Sequence, residues 1–189
     1  MKAKTDLSKY TTADYKTGGG PLKRLLWYVV NVLFFINPLC PVSRIKVFLL
    51  RLFGAKVGVG VNIKPAVNIK YPWKLSIGDH CWIGERAWID NLADVKIGSN
   101  CCISQGAMLL CGNHNFRSET FDLITRPIVL EDGAWIGAHS IVCPGVTCHS
   151  HSVLAVNSVA TRDMEAYHIY QGNPAQKVKE RIITRNPYP

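Results

Sequence analysis

His114 is the residue of this sequence whose type and position are best suited to chemistry. It closes the tripeptide Gly112-Asn113-His114 and directly precedes residues 115–127, the longest interruption of an otherwise regular repeat. Histidine changes its charge near neutral pH, with an unperturbed pKa of about 6.5, so it can take a proton from a substrate or bind a metal ion. A lone histidine can also do no more than fill a turn. Long loops in a repetitive scaffold are usually functional, which favours the chemical interpretation.

The element that must position His114 is a repeat in which an aliphatic residue returns every six positions. A period of six fits neither a helix nor a meander of long strands, so it predicts short strands separated by turns at the corners of a prism, three strands to a coil. The repeating positions are Val57, Ile63, Ile69, Ile77, Ile83, Ile89, Ile97, Ile103, Leu109, Leu130, Ile136, Val142, Cys148 and Leu154. We therefore predict a mainly β protein, a parallel β-helix over residues 57–165.

The interruptions of the repeat all fall after every third strand, which places them at one corner. In this register Leu109 lies above Ile89 and below Val142, so Asp90 and Asn91 lie one coil below the start of the loop that carries His114. Polar side chains at this corner could contact a substrate. They could equally form an Asx turn, the commonest use of such a pair. Phe116, in the loop 115–127, is a weaker candidate for shaping a pocket.

Segments without the repeat flank the β-helix. Residues 1–56 are predicted to form an N-terminal extension with two helices, the first marked by Leu22, Leu25, Leu26, Val29, Val30 and Leu33 at helical spacing and the second spanning residues 42–53. Both are expected to pack on one end or side of the β-helix. Residues 166–189 are predicted to form a tail in which the turn Gly172-Asn173-Pro174 is followed by a short basic helix through Lys177 and Arg181.

The net charge of +9 is concentrated near the N-terminus, because residues 15–78 contain no acidic side chain. The basic residues of this stretch are Lys16, Lys23, Arg24, Arg44, Lys46, Arg51, Lys56, Lys64, Lys70 and Lys74. Such asymmetry, without any recognition-helix, zinc-finger or RNP-like pattern, argues against a nucleic-acid partner. The helices are most simply a cap for the β-helix, and peripheral contact with an anionic membrane is the alternative.

The cysteines and the N-terminus predict the cellular compartment. Seven cysteines without a CxxC pair fit neither a disulfide framework nor a zinc ribbon, so reduced thiols in a cytoplasmic protein are expected. Residues 1–20 are polar and do not read as a secretion signal. The apolar run from Leu25 to Ile36 is shorter than the roughly 20 residues that a membrane span requires. We therefore expect a cytoplasmic protein that can lie at the inner membrane surface.

Several motifs resemble the hexapeptide-repeat sugar O-acetyltransferases. They are the hexads, Gly112-Asn113-His114, Trp135-Ile136-Gly137, Pro144-Gly145-Val146-Thr147 and Gly172-Asn173-Pro174-Ala175. Within that superfamily, residues 50–56, Tyr71-Pro72-Trp73-Lys74-Leu75 and Ile103-Ser104-Gln105 resemble candidate colanic acid biosynthesis acetyltransferases. The resemblance implies a left-handed parallel β-helix, a homotrimer with acetyl-CoA in grooves between subunits, and direct acetyl transfer without a covalent intermediate or a metal.

The resemblance also implies roles for individual residues. His114 matches the loop histidine that acts as general base on a saccharide hydroxyl, and an asparagine near Asp90 and Asn91 contacts the acceptor in related enzymes. The cofactor-binding residues implied are Trp135, Ala138, Ser158, Thr161, Arg162 and Lys177. The chain departs from the family pattern at Val156-Asn157, where Ala-Gly is usual, and at Gln176, where a basic residue is frequent. The remaining histidines, His80, His139, His149, His151 and His168, match no motif and are interpreted as structural.

Two other functions remain open from the sequence. The departures at Val156, Asn157 and Gln176 are compatible with a membrane-apposed scaffold that has kept the fold and lost activity. A γ-carbonic-anhydrase-like metalloenzyme would share the architecture but needs histidine ligands that converge between subunits, with Glu119 standing where a further ligand would be sought. Against these, the first hypothesis is an acetyl-CoA-dependent O-acetyltransferase of exopolysaccharide biosynthesis that acts on a free or lipid-linked saccharide.

Overall fold

The chain forms a parallel β-helix with three sheets, in a computed structural model that describes residues 3–12 and 14–185. The first sheet contains β1 (Lys56–Val57), β4 (Leu75–Ile77), β7 (Val95–Ile97), β12 (Ile128–Leu130) and β15 (Thr147–Cys148). The second contains β2 (Asn62–Ile63), β5 (Trp82–Ile83), β8 (Cys102–Ile103), β13 (Trp135–Ile136), β16 (Val153–Leu154), β18 (His168–Gly172) and β19 (Ala175–Glu180). The third contains β3 (Asn68–Ile69), β6 (Trp88–Asp90), β9 (Met108–Leu110), β14 (Ile141–Val142) and β17 (Val159–Ala160).

The register of the coils is the one that the hexads predict. Leu109 pairs with Ile89 on one side and with Val142 on the other. Ile63, Ile83, Ile103, Ile136 and Leu154 form an equivalent ladder inside the second sheet. These ladder side chains are at most 1% exposed, so stacking of aliphatic residues from successive coils builds the core. We name the first, second and third corners as the turns that follow strands of the first, second and third sheets.

Three of the histidines interpreted as structural occupy corner turns. His80, His139 and His151 all have φ near +57°, between 56° and 58°, a left-handed conformation in which Cβ meets the backbone. Each ring lies against a glycine of a neighbouring coil, and a Cβ on Gly60 or Gly106 would come within 2.6 Å of the His80 or His139 ring. These imidazoles therefore fill the space over corner glycines.

Two helices cover the first coil. They are α1 (Pro21–Val30), which continues as a π-helical segment over Asn31–Ile36, and α2 (Ser43–Leu52). The Trp27 indole donates to the carbonyl of Ile69 at 2.8 Å, and Lys46 Nζ donates to the carbonyl of Lys64 at 2.7 Å. No helix in the described part of the chain is long and apolar enough to cross a membrane.

The face that α1 turns to the β-helix differs from the one that the apolar spacing suggests. Trp27, Asn31 and Phe35 are buried against the first coil. The stripe that carries the helical spacing, including Leu22 and Leu25, is exposed, with 69% and 60% of these two side chains accessible. Both faces are apolar, so the spacing finds the helix correctly but does not identify its packed side.

The predicted C-terminal helix is wrong, because Lys177 and its neighbours form a strand. β19 runs antiparallel to β18, and β18 extends the second sheet beside β16. The last coil of a β-helix ends in an open edge whose backbone groups need partners. The turn at Gly172-Asn173-Pro174 returns the chain along that edge, and pairing with β18 satisfies it, whereas an isolated short helix is marginal in water.

Candidate active site

His114 lies on a hairpin that leaves the β-helix at the third corner. After β9 the chain forms β10 (Gly112–His114), which pairs antiparallel with β11 (Leu123–Thr125), so the inserted loop is partly regular rather than irregular throughout. Leu123 is the direct partner of His114 across the hairpin. The paired strands fix where the His114 backbone sits relative to the third coil.

A backbone carbonyl fixes the tautomer of the His114 ring. Nδ1 lies 2.9 Å from the carbonyl oxygen of Phe121. A carbonyl oxygen only accepts hydrogen bonds, so in the neutral ring Nδ1 carries the hydrogen and Nε2 keeps a free lone pair. The half-buried imidazole is thereby held with Nε2 as its proton acceptor, which is the state that a general base requires.

Phe121 holds the ring through its side chain as well. The phenyl and imidazole rings stack with centroids 4.4 Å apart and planes 9° apart. Phe121 has φ of 54°, a left-handed conformation that costs a non-glycine residue about 1–2 kcal/mol. Corner residues such as His80 and His139 share this conformation, so the value of φ alone does not distinguish Phe121. Here it directs the carbonyl toward His114.

The inserted loop is braced by its own hydrogen bonds. The Asn115 N–H donates to the carbonyl of Asp122 at 2.8 Å, and the Thr120 hydroxyl donates to the Asp122 carboxylate. Hydrogen bonds from Thr120 and then Ser118 lower the pKa of Asp122 below its usual value. The loop that presents Phe121 to His114 is therefore ordered by local contacts.

The N-terminal segment crosses this loop, a contact that no feature of the sequence predicts. The Asp6 N–H donates to the carbonyl of Glu119 at 2.8 Å, and Lys9 Nζ lies 2.6 Å from the Glu119 carboxylate. This contact brings the Tyr10 ring to 5.7 Å from the His114 ring. About one hundred residues separate the two segments, and residues 3–12 have no hydrophobic periodicity, so no pattern signals the contact.

Asp90 and Asn91 occupy the corner below the hairpin but differ in whether their side chains can contact a substrate. Asp90 pairs with Leu110 across the coils, and its carboxylate lies 3.1 Å from Lys70 Nζ. Asn91 is fully buried, and its amide accepts from the Tyr71 N–H at 2.9 Å and donates to the Tyr71 carbonyl. Asn91 thus holds two coils together, and its side chain is not available to an acceptor in this structure. Only Asp90 remains a candidate for contact with a substrate.

Phe116 lies on the solvent side of the same loop. Its side chain is 73% exposed, and the Arg117 guanidinium is 5.9 Å from its ring centre. Its backbone N–H donates to the carbonyl of His114 at 3.0 Å. The residue is therefore next to His114 along the backbone, with an aromatic side chain that has no other ring partner among the described residues.

The predicted cofactor residues fall into groups at different places on the prism. Trp135 lies on the outer face of the second sheet, 45% exposed, with its indole donating to Ser104 Oγ at 2.9 Å. Ala138 is half-buried at the second corner. Ser158, at the same corner, is 1% exposed, and its hydroxyl accepts from the Gly172 N–H at 3.0 Å, so its side chain is structural here.

The other group lies near the third corner and the C-terminal hairpin. Thr161 and Arg162 are exposed and line a cleft of about 140 Å³ together with Gln176. Lys177 is paired with Glu165 instead, at 2.9 Å, and that carboxylate raises the pKa of Lys177. Thr161 and Arg162 share a corner with His114, whereas Trp135 and Ala138 do not. A single chain therefore does not gather the predicted cofactor residues around His114.

The departure from the family pattern at Asn157 has a structural explanation. Its φ is 56°, and its N–H donates to the carbonyl of Ala138 at 2.9 Å. Asparagine adopts this left-handed conformation more easily than other non-glycine residues. Asn157 therefore preserves a turn for which glycine is the usual residue.

The positions of possible metal ligands can be stated for the part of the chain that the structure describes. Within it, no three His, Cys, Asp or Glu side chains lie close enough together to hold an ion. Glu119, the residue considered as an additional ligand, is paired with Lys9 at 2.6 Å.

Comparisons with known proteins agree with the fold. The family model described as "Hexapeptide repeat of succinyl-transferase" matches residues 74–111. The chain is 36% identical over 179 residues to WcaF of Escherichia coli (strain K12), named as a candidate colanic acid biosynthesis acetyltransferase, which covers 95% of this chain and 98% of that one. It is 27% identical over 129 residues to the galactoside O-acetyltransferase of the same organism, covering 67% of this chain and 64% of that one.

A solved structure shares the architecture. A hexapeptide-repeat acetyltransferase of Vibrio cholerae O1 biovar eltor, in complex with acetyl coenzyme A, superimposes with a TM-score of 0.76 at 23% identity. The match covers 86% of this chain and 88% of that one.

Proposed function

Because the chain belongs to the hexapeptide-repeat acetyltransferases, we propose that it transfers acetyl from acetyl-CoA to a hydroxyl of a saccharide, with His114 as the general base. The observation that carries this proposal is the 2.9 Å contact from His114 Nδ1 to the Phe121 carbonyl. It leaves Nε2 as the basic atom of a ring that is stacked and half-buried. His168 makes a similar contact with the carbonyl of Ala166, but only His114 combines the contact with a place in the Gly112-Asn113-His114 motif at the base of the inserted loop.

The chemistry follows from the position of that lone pair. Nε2 removes the proton of the acceptor hydroxyl while the oxygen attacks the thioester carbonyl, and the carbon–sulfur bond then breaks. The imidazolium returns the proton to the departing CoA sulfur, so the ring ends as it began. The Phe121 carbonyl stabilises the imidazolium through its hydrogen bond with Nδ1–H. Holding the two substrates in line supplies much of the remaining acceleration.

We propose that the site is completed between subunits of a homotrimer. Thr161 and Arg162 share the third corner with His114, whereas Trp135 and Ala138 lie on the second sheet and second corner. If two different corners of neighbouring subunits meet, the pantetheine arm can run along Ala138 of one chain toward His114 of the next. Arg162 would then face the CoA phosphates, with Gln176 beside it in place of a basic residue.

The acceptor in this proposal is a saccharide of exopolysaccharide biosynthesis, free or lipid-linked, and the enzyme works in the cytoplasm at the inner membrane surface. The names of WcaF and of the galactoside O-acetyltransferase support a sugar hydroxyl as the acceptor class. Asp90, one coil below the His114 hairpin, is the carboxylate best placed to bind a sugar hydroxyl, and Phe116 is an exposed ring beside the same loop. One argument for a non-catalytic scaffold is removed, because Asn157 keeps the turn in which glycine is the usual residue.

The proposal is tested by incubating the purified protein with acetyl-CoA and a panel of oligosaccharides and measuring the acetylated product by mass spectrometry. We expect an added acetyl group on at least one sugar and calorimetric binding of acetyl-CoA. A protein that binds no acetyl-CoA would be a scaffold, which would refute the enzymatic proposal. Sedimentation measures the oligomeric state, and a monomer with full activity would refute the shared site.

A further inference from the structure

The two N-terminal helices expose an unusual amount of apolar surface. Thirteen of the 26 exposed large hydrophobic side chains that the structure describes lie in the 31 residues from Leu22 to Leu52. We define the helical apolar face by Leu22, Leu25, Leu26, Val29 and Leu33 of α1 and its continuation, Leu39 of the connection, and Ile45, Phe48 and Leu52 of α2. Within each helix these residues are three or four positions apart and so form an exposed apolar stripe, which usually marks an interaction site.

The exposed residues do not contribute to the cap. In α1 the opposite face, Trp27 and Phe35, is at most 2% exposed and packs on the first coil. In α2 the packed residues are Lys46 and Leu50, both fully buried. Each helix therefore has one face that closes the β-helix and a second apolar face that packs on nothing within the chain. Packing on the β-helix accounts for the apolar residues of the first face but not for those of the second.

The charges around this face indicate the kind of partner. Residues 15–78 carry ten basic and no acidic side chains. Lys46 is buried and Lys70 is paired with Asp90, so these two do not contribute to the surface. Arg44 flanks the apolar stripe of α2 and is exposed, and Arg24 is exposed on α1. Arg51 is exposed as well, but its guanidinium donates to the carbonyls of Val57 and Gly58. An apolar face bordered by uncompensated cations matches a bilayer that contains anionic lipid.

We infer that the helical apolar face docks on an anionic membrane, with the leucine and phenylalanine side chains in the acyl boundary and the arginines at the headgroups. This inference specifies the surface for the membrane location in the proposed function but does not depend on acetyl transfer. The same face on a second copy is a poorer occupant. A two-fold contact would bring Arg24 and Arg44 of one copy close to the basic residues of the other, and residues 15–78 supply no acidic side chain to pair with them.

A cyclic oligomer would strengthen the contact. Cyclic symmetry places every copy of a surface at the same height along the axis, so a trimer would carry three helical apolar faces at the same end of the assembly. Simultaneous binding of three faces raises the apparent affinity well above that of one.

The experiment is cosedimentation of the full chain with phosphatidylcholine vesicles, with and without phosphatidylglycerol. We expect binding that requires phosphatidylglycerol and weakens as salt is raised. The variant Leu25→Ser/Phe48→Ser removes one inserted side chain from each helix and should weaken binding at least about tenfold. The matched control is Ile182→Ser/Ile183→Ser, which changes side chains that are 80% and 54% exposed elsewhere and should bind as wild type.

A charge variant measures the electrostatic part of membrane binding, and a catalytic variant shows that binding does not depend on the active site. Arg24→Gln/Arg44→Gln should reduce binding about fivefold per residue, from roughly 1 kcal/mol for each basic side chain near an anionic surface. His114→Ala should bind vesicles as wild type, because docking does not use the active site. Leu25→Ser/Phe48→Ser should acetylate a water-soluble acceptor at the wild-type rate and unfold at the wild-type temperature.

Three outcomes would overturn the inference. One is failure of the wild-type protein to bind either kind of vesicle. Another is unchanged vesicle binding of the folded Leu25→Ser/Phe48→Ser variant. The third is a fall in oligomeric state of that variant in solution, measured by sedimentation, which would assign the face to contacts between copies. None of these results bears on acetyl transfer, so the proposed function is judged separately.

Discussion

Replacement of His114 by alanine should separate a catalytic histidine from a structural one. The change removes one hydrogen bond to the Phe121 carbonyl and one stacked ring. Each contact contributes about 0.5–1.5 kcal/mol, and partial solvent exposure places the sum near the lower end, about 1 kcal/mol. Against a total stability of about 5–15 kcal/mol, the variant stays folded. Loss of a general base lowers the rate by about 10²–10⁴-fold, which raises the barrier by at least about 2.7 kcal/mol.

The assay must follow the acetylated sugar rather than free thiol, because the chain carries seven cysteines that would react with a thiol reagent. The matched control is His168→Ala, since His168 Nδ1 also lies close to a backbone carbonyl, that of Ala166 at 2.8 Å, but away from the hairpin. We expect His168→Ala to keep wild-type turnover. Activity of His114→Ala within threefold of wild type would refute the assignment, as would a loss of acetyl-CoA binding in step with unfolding.

Three further predictions address positioning and stability. Phe121→Gly and Phe121→Val both remove the stacked ring, but glycine adopts the left-handed backbone far more easily than valine. The glycine variant should therefore retain a higher kcat than the valine variant. Equal kcat values would mean that the Phe121 carbonyl does not position His114. Ile103→Ala should lower the free energy of unfolding by about 2–5 kcal/mol in urea titrations, while Lys96→Ala, exposed on a neighbouring sheet, changes it by less than about 0.5 kcal/mol. Burial lowers the pKa of Lys46 from its usual 10.5, so between the lowered value and 10.5 the unfolded chain binds a proton that the folded chain does not. The free energy of unfolding should therefore rise with pH across that window in the wild type but not in Lys46→Met. The same dependence on pH in both proteins would contradict this prediction.

The sequence predicts the coil register because the period is itself the physical constraint. Ile89, Leu109 and Val142 must stack for the core to close, so their spacing specifies which residues are neighbours in successive coils. The same logic places Asp90 and His114 at one corner. It says nothing about which tautomer His114 adopts, because Phe121 belongs to a loop without periodicity and acts through its backbone. The contact of Tyr10 with the site cannot be predicted from the sequence for the same reason.

The packed face of α1 and the C-terminal helix were predicted wrongly, and each error has a physical cause. Leu25 and Trp27 are both apolar residues of α1, and the choice between them as the packed face depends on the shape of the first coil, which the helix does not encode. Lys177 and its neighbours suit a helix in isolation, but the open edge of β18 offers backbone partners that a helix would leave unpaired. In both cases the three-dimensional surroundings override local preference.

One cleft lies between the N-terminal helix α1 and the sheet whose third corner carries the His114 hairpin. A groove of about 470 Å³ between α1 and the third sheet is lined by residues that include Arg24, Tyr28, Trp88 and Asp90. The helices cover the first coil and the His114 hairpin leaves the third, so two coil spacings of about 4.8 Å, roughly 10 Å in all, separate them along the axis. A saccharide whose lipid lies at the helical apolar face would therefore meet an aromatic and cationic groove that leads to the corner carrying His114. Under the proposed function, such a path requires the groove to reach the third corner, and Asp90, which lines the groove, stands at that corner.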